Sequence, residues 1–276
     1  MPTDIRSLPL TAASQEAADA YDRTIEAYLA SGPETADLLA ATLAADPDMP
    51  MAHVLRGYLM NLAGRAEMLA RARDSLAEAQ RRASGITQRE RAHIAALAAW
   101  CDLDLPRAIA ILEEILVEHP RDLLAARLAH YLHFYLGELL PMRDSVARLL
   151  PCWDEGVPGY GFLLGCRAFG LEETGDYAAA EAAGRRAVEI DARDIWAGHA
   201  VAHVLEMQGR CGEGIDWVDR HENVWATRNA FANHVWWHRC LYYLELQQHD
   251  AVLDQFDRLV WRETSDDNLD LPNAAS

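Results

Sequence analysis

Apolar residues return at intervals of three and four along almost the whole chain, and alternating β-branched runs are scarce. The intervening positions are rich in Ala, Leu, Glu and Arg, which favour helices. This pattern predicts helices separated by short turns, and the turns recur. In Leu163–Ala180, Ala168 offers a small side chain where two helices cross closely. A Gly175-Asp176-Tyr177 turn follows seven residues later, and Ala180 places a second small residue on the next helix. Gly175 returns as Gly209, 34 residues on.

That spacing is the period of the tetratricopeptide repeat, a helix–turn–helix unit. Gly57 and Gly64 keep the seven-residue interval, as do His130 and Gly137, and then Leu241 and Gln248 with glutamine at the turn. Ala96 precedes a turn at Leu103-Asp104, and the helix begun near Ala108 stops at Pro120, where proline ends one helix and opens the next. First helices are expected near 51–63, 89–102, 122–136, 160–174, 194–208 and 233–247. Longer interruptions fall at Pro151–Pro158 and His221–Asn233. The predicted fold is an all-α tetratricopeptide-like solenoid of six to seven antiparallel hairpins over residues 1–263. Each hairpin buries its faces against its neighbours. Residues 264–276 are expected to form a polar C-terminal tail.

The chemistry concentrates in two stretches. The first runs Trp196-Ala-Gly-His199-Ala-Val-Ala-His203-Val-Leu-Glu206, and the second is Asn233-His234-Val-Trp236-Trp237-His238. Residues three or four apart share a helix face, so His199, His203 and Glu206 stand in a row, with Trp196 one turn before. Counted back from the turn glycine, this row maps onto the first helix's concave face. In the next unit the same positions give His238, Tyr242 and Glu245, with His234 one turn above. His199 and His238 then share a register, about 10 Å apart by ordinary helix packing. Upstream, Phe169 and Glu172 fall on the same wall, as does Arg127. Trp236 and Trp237 are adjacent, so at most one faces inward. An apolar wall with a few convergent polar groups suits a small-molecule pocket. It also suits a peptide groove.

Charge narrows the partners. The chain has 25 basic and 43 acidic residues, a net of −18, which repels nucleic acid and anionic membranes. The N-terminus has no basic region followed by an apolar run, and no stretch approaches 18 consecutive apolar residues. Five scattered cysteines, never in a C-x-x-C pair, read as buried hydrophobes in a reducing cytoplasm.

The stretch His199–Arg210, followed by Glu213-Gly-Ile-Asp-Trp217 and His234-Val-Trp-Trp-His238, resembles the tetratricopeptide repeat protein 38 family. So do Ala45–His53, Pro158–Gly161 and Ala168–Tyr177. The resemblance spans essentially all of the chain and implies a cytoplasmic helical-repeat protein, without supplying catalytic residues. Family members continue beyond an Asp-Leu-x-Asn-Ala-Ala-Ser stretch, inside which this chain stops at Ser276. The expectation is an exposed end that pairs as a homodimer or with a missing C-terminal partner.

Three functions compete for the cluster. A cytoplasmic binding scaffold would take a small ligand or peptide at Trp196, His199, His203, Glu206, His234, His238, Trp237, Tyr242, Phe169 and Arg127. An enzyme would use the same pocket for metal-assisted or His-based hydrolysis or proton transfer. A structural part would use it to order the superhelix. The i, i+4 spacing of His199 and His203 can offer two imidazoles to a zinc-like divalent ion, with His238 as a third ligand. H-x-x-x-H alone carries little specificity, because the adjacent glutamate of H-E-x-x-H is absent. His130 and His133 read as structural residues, His221 and His249 as loop and turn residues. Trp100, Trp153, Trp217, Trp225 and Trp261 read as fillers of joints between repeats.

Overall fold

The computed structural model describes residues 1–260; Trp261 and the expected polar tail at 264–276 lie outside the described residues. The described residues form fourteen α-helices. In chain order these are α1 (Gln15–Leu29), α2 (Thr35–Ala45), α3 (Pro50–Leu62), α4 (Ala66–Arg81), α5 (Gln88–Cys101), α6 (Leu105–Glu118) and α7 (Leu123–Tyr135). They continue as α8 (Leu139–Leu149), α9 (Tyr160–Glu172), α10 (Tyr177–Ile190), α11 (Ile195–Met207), α12 (Cys211–Trp225), α13 (Phe231–Glu245) and α14 (His249–Gln255). The predicted first helices correspond to α3, α5, α7, α9, α11 and α13. Among the described residues no helix is long and apolar enough to cross a membrane.

Local chemistry explains where the helices begin and turn. Asp104, Asp122, Asp176 and Asp194 cap α6, α7, α10 and α11, each accepting from a backbone N–H in the first turn. An aspartate in that place satisfies a donor that would otherwise lack an intrahelical partner. Thr87 and Glu90 form a reciprocal capping box on α5. Between α9 and α10 the chain passes through Gly175 at φ 84°, and between α11 and α12 through Gly209 at φ 67°. The equivalent left-handed residue after α13 is Gln247 at φ 59°, one position before the expected Gln248. His221 lies in α12, not in a loop, and stacks on Trp225 at 4.7 Å.

The chain divides into two compact units: residues 1–28 with 34–163, and residues 29–33 with the chain from 164 onward. In the first unit, α3 and α5 meet where Gly57 faces Leu97, and Tyr58 packs against Trp100 at 5.9 Å. A buried ionic group crosses this interior: Asp122 accepts from Arg89 at 2.7 Å and contacts His93 at 2.9 Å.

The second unit interlocks large rings with glycines. A Cβ on Gly198 would lie 2.2 Å from the Trp225 ring, and one on Gly214 would lie 2.4 Å from the Tyr242 ring. Trp225 cannot retreat without breaking its Nε1 donation to the Ala192 carbonyl at 3.0 Å. Gly198→Ala is therefore expected to destabilise this unit by about 1–3 kcal/mol, the usual cost of overpacking. Denaturant unfolding followed by hydrogen exchange checks it, and unchanged protection across α11 and α12 would refute the interlock.

Candidate metal centre

Three helices of the second unit build the site. From α9 come Phe169 and Glu172, with Glu173 just past its end; α11 supplies Trp196, His199, His203 and Glu206; α13 supplies Phe231, His234, Trp237 and His238. His199 and His203 sit four residues apart on α11, as do His234 and His238 on α13, so each helix aims two imidazoles from one face. The pairs meet. His199 Nε2 lies 3.0 Å from His234 Nε2, His234 Nε2 lies 3.2 Å from His238 Nε2, and His238 Nε2 lies 3.1 Å from His203 Nε2. One ligand atom from each of the four falls within 4.8 Å of every other.

Carboxylates fix the tautomers at one end of this chain of contacts. His203 Nδ1 lies 3.1 Å from a Glu172 oxygen, and His238 Nδ1 lies 2.9 Å from a Glu206 oxygen. A carboxylate accepts, so each Nδ1 carries the proton and donates. In the neutral rings, the Nε2 atoms of His203 and His238 are then bare lone pairs facing each other at 3.1 Å. Two lone pairs at that distance repel, and a cation between them reverses the sign. Burial, with His203 and His234 alongside, pushes the His238 pKa well below the ordinary imidazole value, which keeps this ring neutral and its Nε2 available as a ligand. Four converging imidazoles are also a donor set that a divalent metal ion accepts.

Carboxylate–histidine–metal arrangements orient the ring and strengthen the ligand, which is the role Glu172 and Glu206 fit. Burial raises the Glu206 pKa; His203 opposes that rise, while Glu172 and Glu245 add to it. Burial and the neighbouring Glu172 likewise raise that of Glu173, whose oxygen stands 3.9 Å from His203 Nδ1. An aromatic wall backs the imidazoles. Phe169 stacks on His199 at 5.7 Å and contacts Trp196 at 4.7 Å, and Phe231 packs edge-on against His199 at 5.2 Å.

The sequence-derived site is only partly drawn together. Trp196, Phe169, His199, His203, Glu206, His234 and His238 converge, and Trp237 stacks on His234 at 5.3 Å. Tyr242 packs under Gly214 and donates to the Ala202 carbonyl at 2.6 Å, which commits it to the helix joint. Arg127 belongs to the first unit, where its guanidinium lies 4.5 Å over Tyr131 and donates to that hydroxyl. The expected register also shifts. His199 Nε2 meets His234, and His203 Nε2 meets His238, each pair 35 residues apart, so the pairing lies four residues from the expected match of His199 with His238. The rings of His199 and His238 nonetheless lean together, with centroids 5.0 Å apart. Sequence reasoning missed Phe231 and Glu173. The i, i+3 spacing of Phe231 and His234 on one helix face was the available signal for the former.

No protein-family model matches the chain. Among solved structures, it is similar to a tetratricopeptide repeat protein from Parabacteroides merdae ATCC 43184, with a TM-score of 0.53 and 14% identity over 95% of this chain and 98% of that one. The TPR domain of P58(IPK) aligns at a TM-score of 0.32 and 14% identity, over 93% of this chain and 76% of its own. The first likeness and the helical hairpins together define an all-α tetratricopeptide-like repeat protein.

Proposed function

We propose that this chain is a metal-binding helical-repeat protein of the cytoplasm, holding one divalent transition-metal ion on His199, His203, His234 and His238. The observation that carries this is the convergence of four imidazoles, one ligand atom of each within 4.8 Å of every other, with the Nδ1 atoms of His203 and His238 held by Glu172 and Glu206. Imidazole donors suit zinc, copper, iron and nickel, and the site has no thiolate to narrow the choice. The helical hairpins add a second capacity, since stacked repeats present extended surfaces to proteins or peptides. The stretches that resemble the tetratricopeptide repeat protein 38 family, His199–Arg210 and His234–His238, also supply all four imidazoles. A metal centre would give that shared motif a chemical reason.

The test is direct. The full chain, prepared without a histidine tag, is stripped with chelator, reloaded separately with Zn(II), Co(II), Ni(II) and Cu(II), and desalted for elemental analysis. One equivalent of at least one metal per chain is expected. Failure to retain a stoichiometric ion from any of the four would refute the reading, and leave the cluster a hydrogen-bonded joint between α11 and α13.

A further inference from the structure

Four protein donors can seal an ion or leave it open, and the spacing of the nitrogens separates the cases. With metal–nitrogen bonds of roughly 2.0–2.1 Å, donors at tetrahedral angles lie about 3.3–3.4 Å apart, and donors at right angles about 2.9 Å apart. The measured separations are 3.0 Å for His199–His234, 3.2 Å for His234–His238 and 3.1 Å for His238–His203. At those bond lengths they correspond to angles of about 90–105° at the ion. These three angles fall below the tetrahedral value, so the donors do not form the regular closed tetrahedron of a structural site.

Burial separates the two sides of the cluster. His199 and His238 are buried, whereas His203 and His234 are half-buried, the His203 side chain keeping 21% of its surface. The carboxylates stand outside the donor set. Glu172 and Glu206 hold the Nδ1 atoms of His203 and His238, on the far side of each ring from the converging Nε2 atoms. They lie in the outer shell, where they place negative charge around the centre without neutralising the ion directly. Glu173 adds a third carboxylate, its oxygen 3.9 Å from His203 Nδ1. A small anion approaching the ion therefore meets up to three carboxylates, and the chain as a whole carries a net −18.

We infer that the centre is open: an ion held by the four imidazoles keeps a coordination position on the His203 and His234 side, filled by water that a small neutral donor displaces. The inference rests on the metal-binding reading above. It places the site with exchangeable, Lewis-acid centres and apart from closed structural ones, which use four protein ligands and no water. The ligand class is an uncharged molecule with a nitrogen or oxygen lone pair. The acidic surround disfavours phosphate esters and carboxylates.

The Co(II)-loaded full chain tests this, because its visible bands report coordination number. Loading is measured first by elemental analysis. The expected spectrum has the weak bands of a five- or six-coordinate ion, and free imidazole shifts them saturably. Azide, an anion of similar size, is expected to bind at least several-fold more weakly. Glu173→Gln should narrow that gap by strengthening azide more than imidazole, and a gap left as wide would overturn the role of the carboxylates in the preference. Intense four-coordinate bands unmoved by either probe would overturn the open position while leaving metal binding intact. Azide binding tighter than imidazole would overturn the preference for neutral ligands. A chain that takes up no stoichiometric Co(II), Zn(II), Ni(II) or Cu(II) overturns metal binding itself, and this inference with it.

Discussion

His238→Gln is expected to abolish retention of the metal ion through desalting, a loss of more than about 100-fold in affinity. The scale follows from the outer shell, where removing a partner of a metal-bound histidine typically costs 10–100-fold. A ligand should cost more than its supporter. His238 and His234 each contact two other imidazoles through Nε2, and His238 is the more buried of the two, with Glu206 held on its Nδ1. Glu206→Gln leaves an oxygen that can still accept from His238 Nδ1, but without the charge, so its loss should fall within about 10–100-fold. Glu172→Gln should behave alike through His203. The graded order, ligand above supporter, is what competition with a chromophoric chelator reads. Equal small losses in all three variants would point to packing, not ligation.

Thermal stability separates the same alternatives. Metal bound to the folded second unit stabilises it by mass action, by about 2.7 kcal/mol at a free concentration 100 times Kd. In metal-free buffer His238→Gln should lose little, because it removes one of two facing lone pairs. With metal present, the gap between variant and parent should widen.

The hairpins were legible because their signals are local. Turn glycines at 175 and 209, the small residues Ala168 and Ala180, and the aspartates that cap helices each act within a few residues of themselves. The two His pairs were legible for the same reason, since i, i+4 spacing on a helix fixes a shared face. The pairing across helices was not. It depends on how α13 is set against α11, which brings His234 to His199 and moves the pairing by four residues, about one turn. Tyr242 illustrates the same limit. Its position fits an inward-facing pattern, but the glycine at 214 on the neighbouring helix opens a slot that takes the ring. A glycine names the space it leaves, not the residue that fills it. Nor could spacing show that Glu172, 31 residues before His203, would hold that ring's Nδ1.

Away from the metal centre, Asp122→Asn is expected to cost the first unit about 3–5 kcal/mol, the usual result of breaking a buried charge pair from one side. Asp122, Arg89 and His93 are all buried. One carboxylate oxygen receives Arg89 at 2.7 Å and contacts His93 at 2.9 Å, while the other accepts from the Ala125 N–H at 2.9 Å as the cap of α7. Asparagine can keep the cap through its amide oxygen, so the loss isolates the charge. What remains is the Arg89 guanidinium, buried beside an uncharged amide. Acid should reproduce part of this in the parent chain. Burial opposes the Asp122 carboxylate, but His93 and Arg89 outweigh it and hold its pKa far below the ordinary carboxylate value. A group depressed on folding contributes stability above its unfolded pKa, and that contribution is lost as pH falls through and below about 4. The asparagine variant has no such proton to gain, so its stability should fall less steeply over that range. Urea unfolding at several pH values, with hydrogen exchange reporting on α5 and α7, measures both effects. Arg89→Met added to Asp122→Asn should recover much of the lost stability, because the stranded charge is then gone. If the double variant is as unstable as the single, shape and not charge holds this interior together.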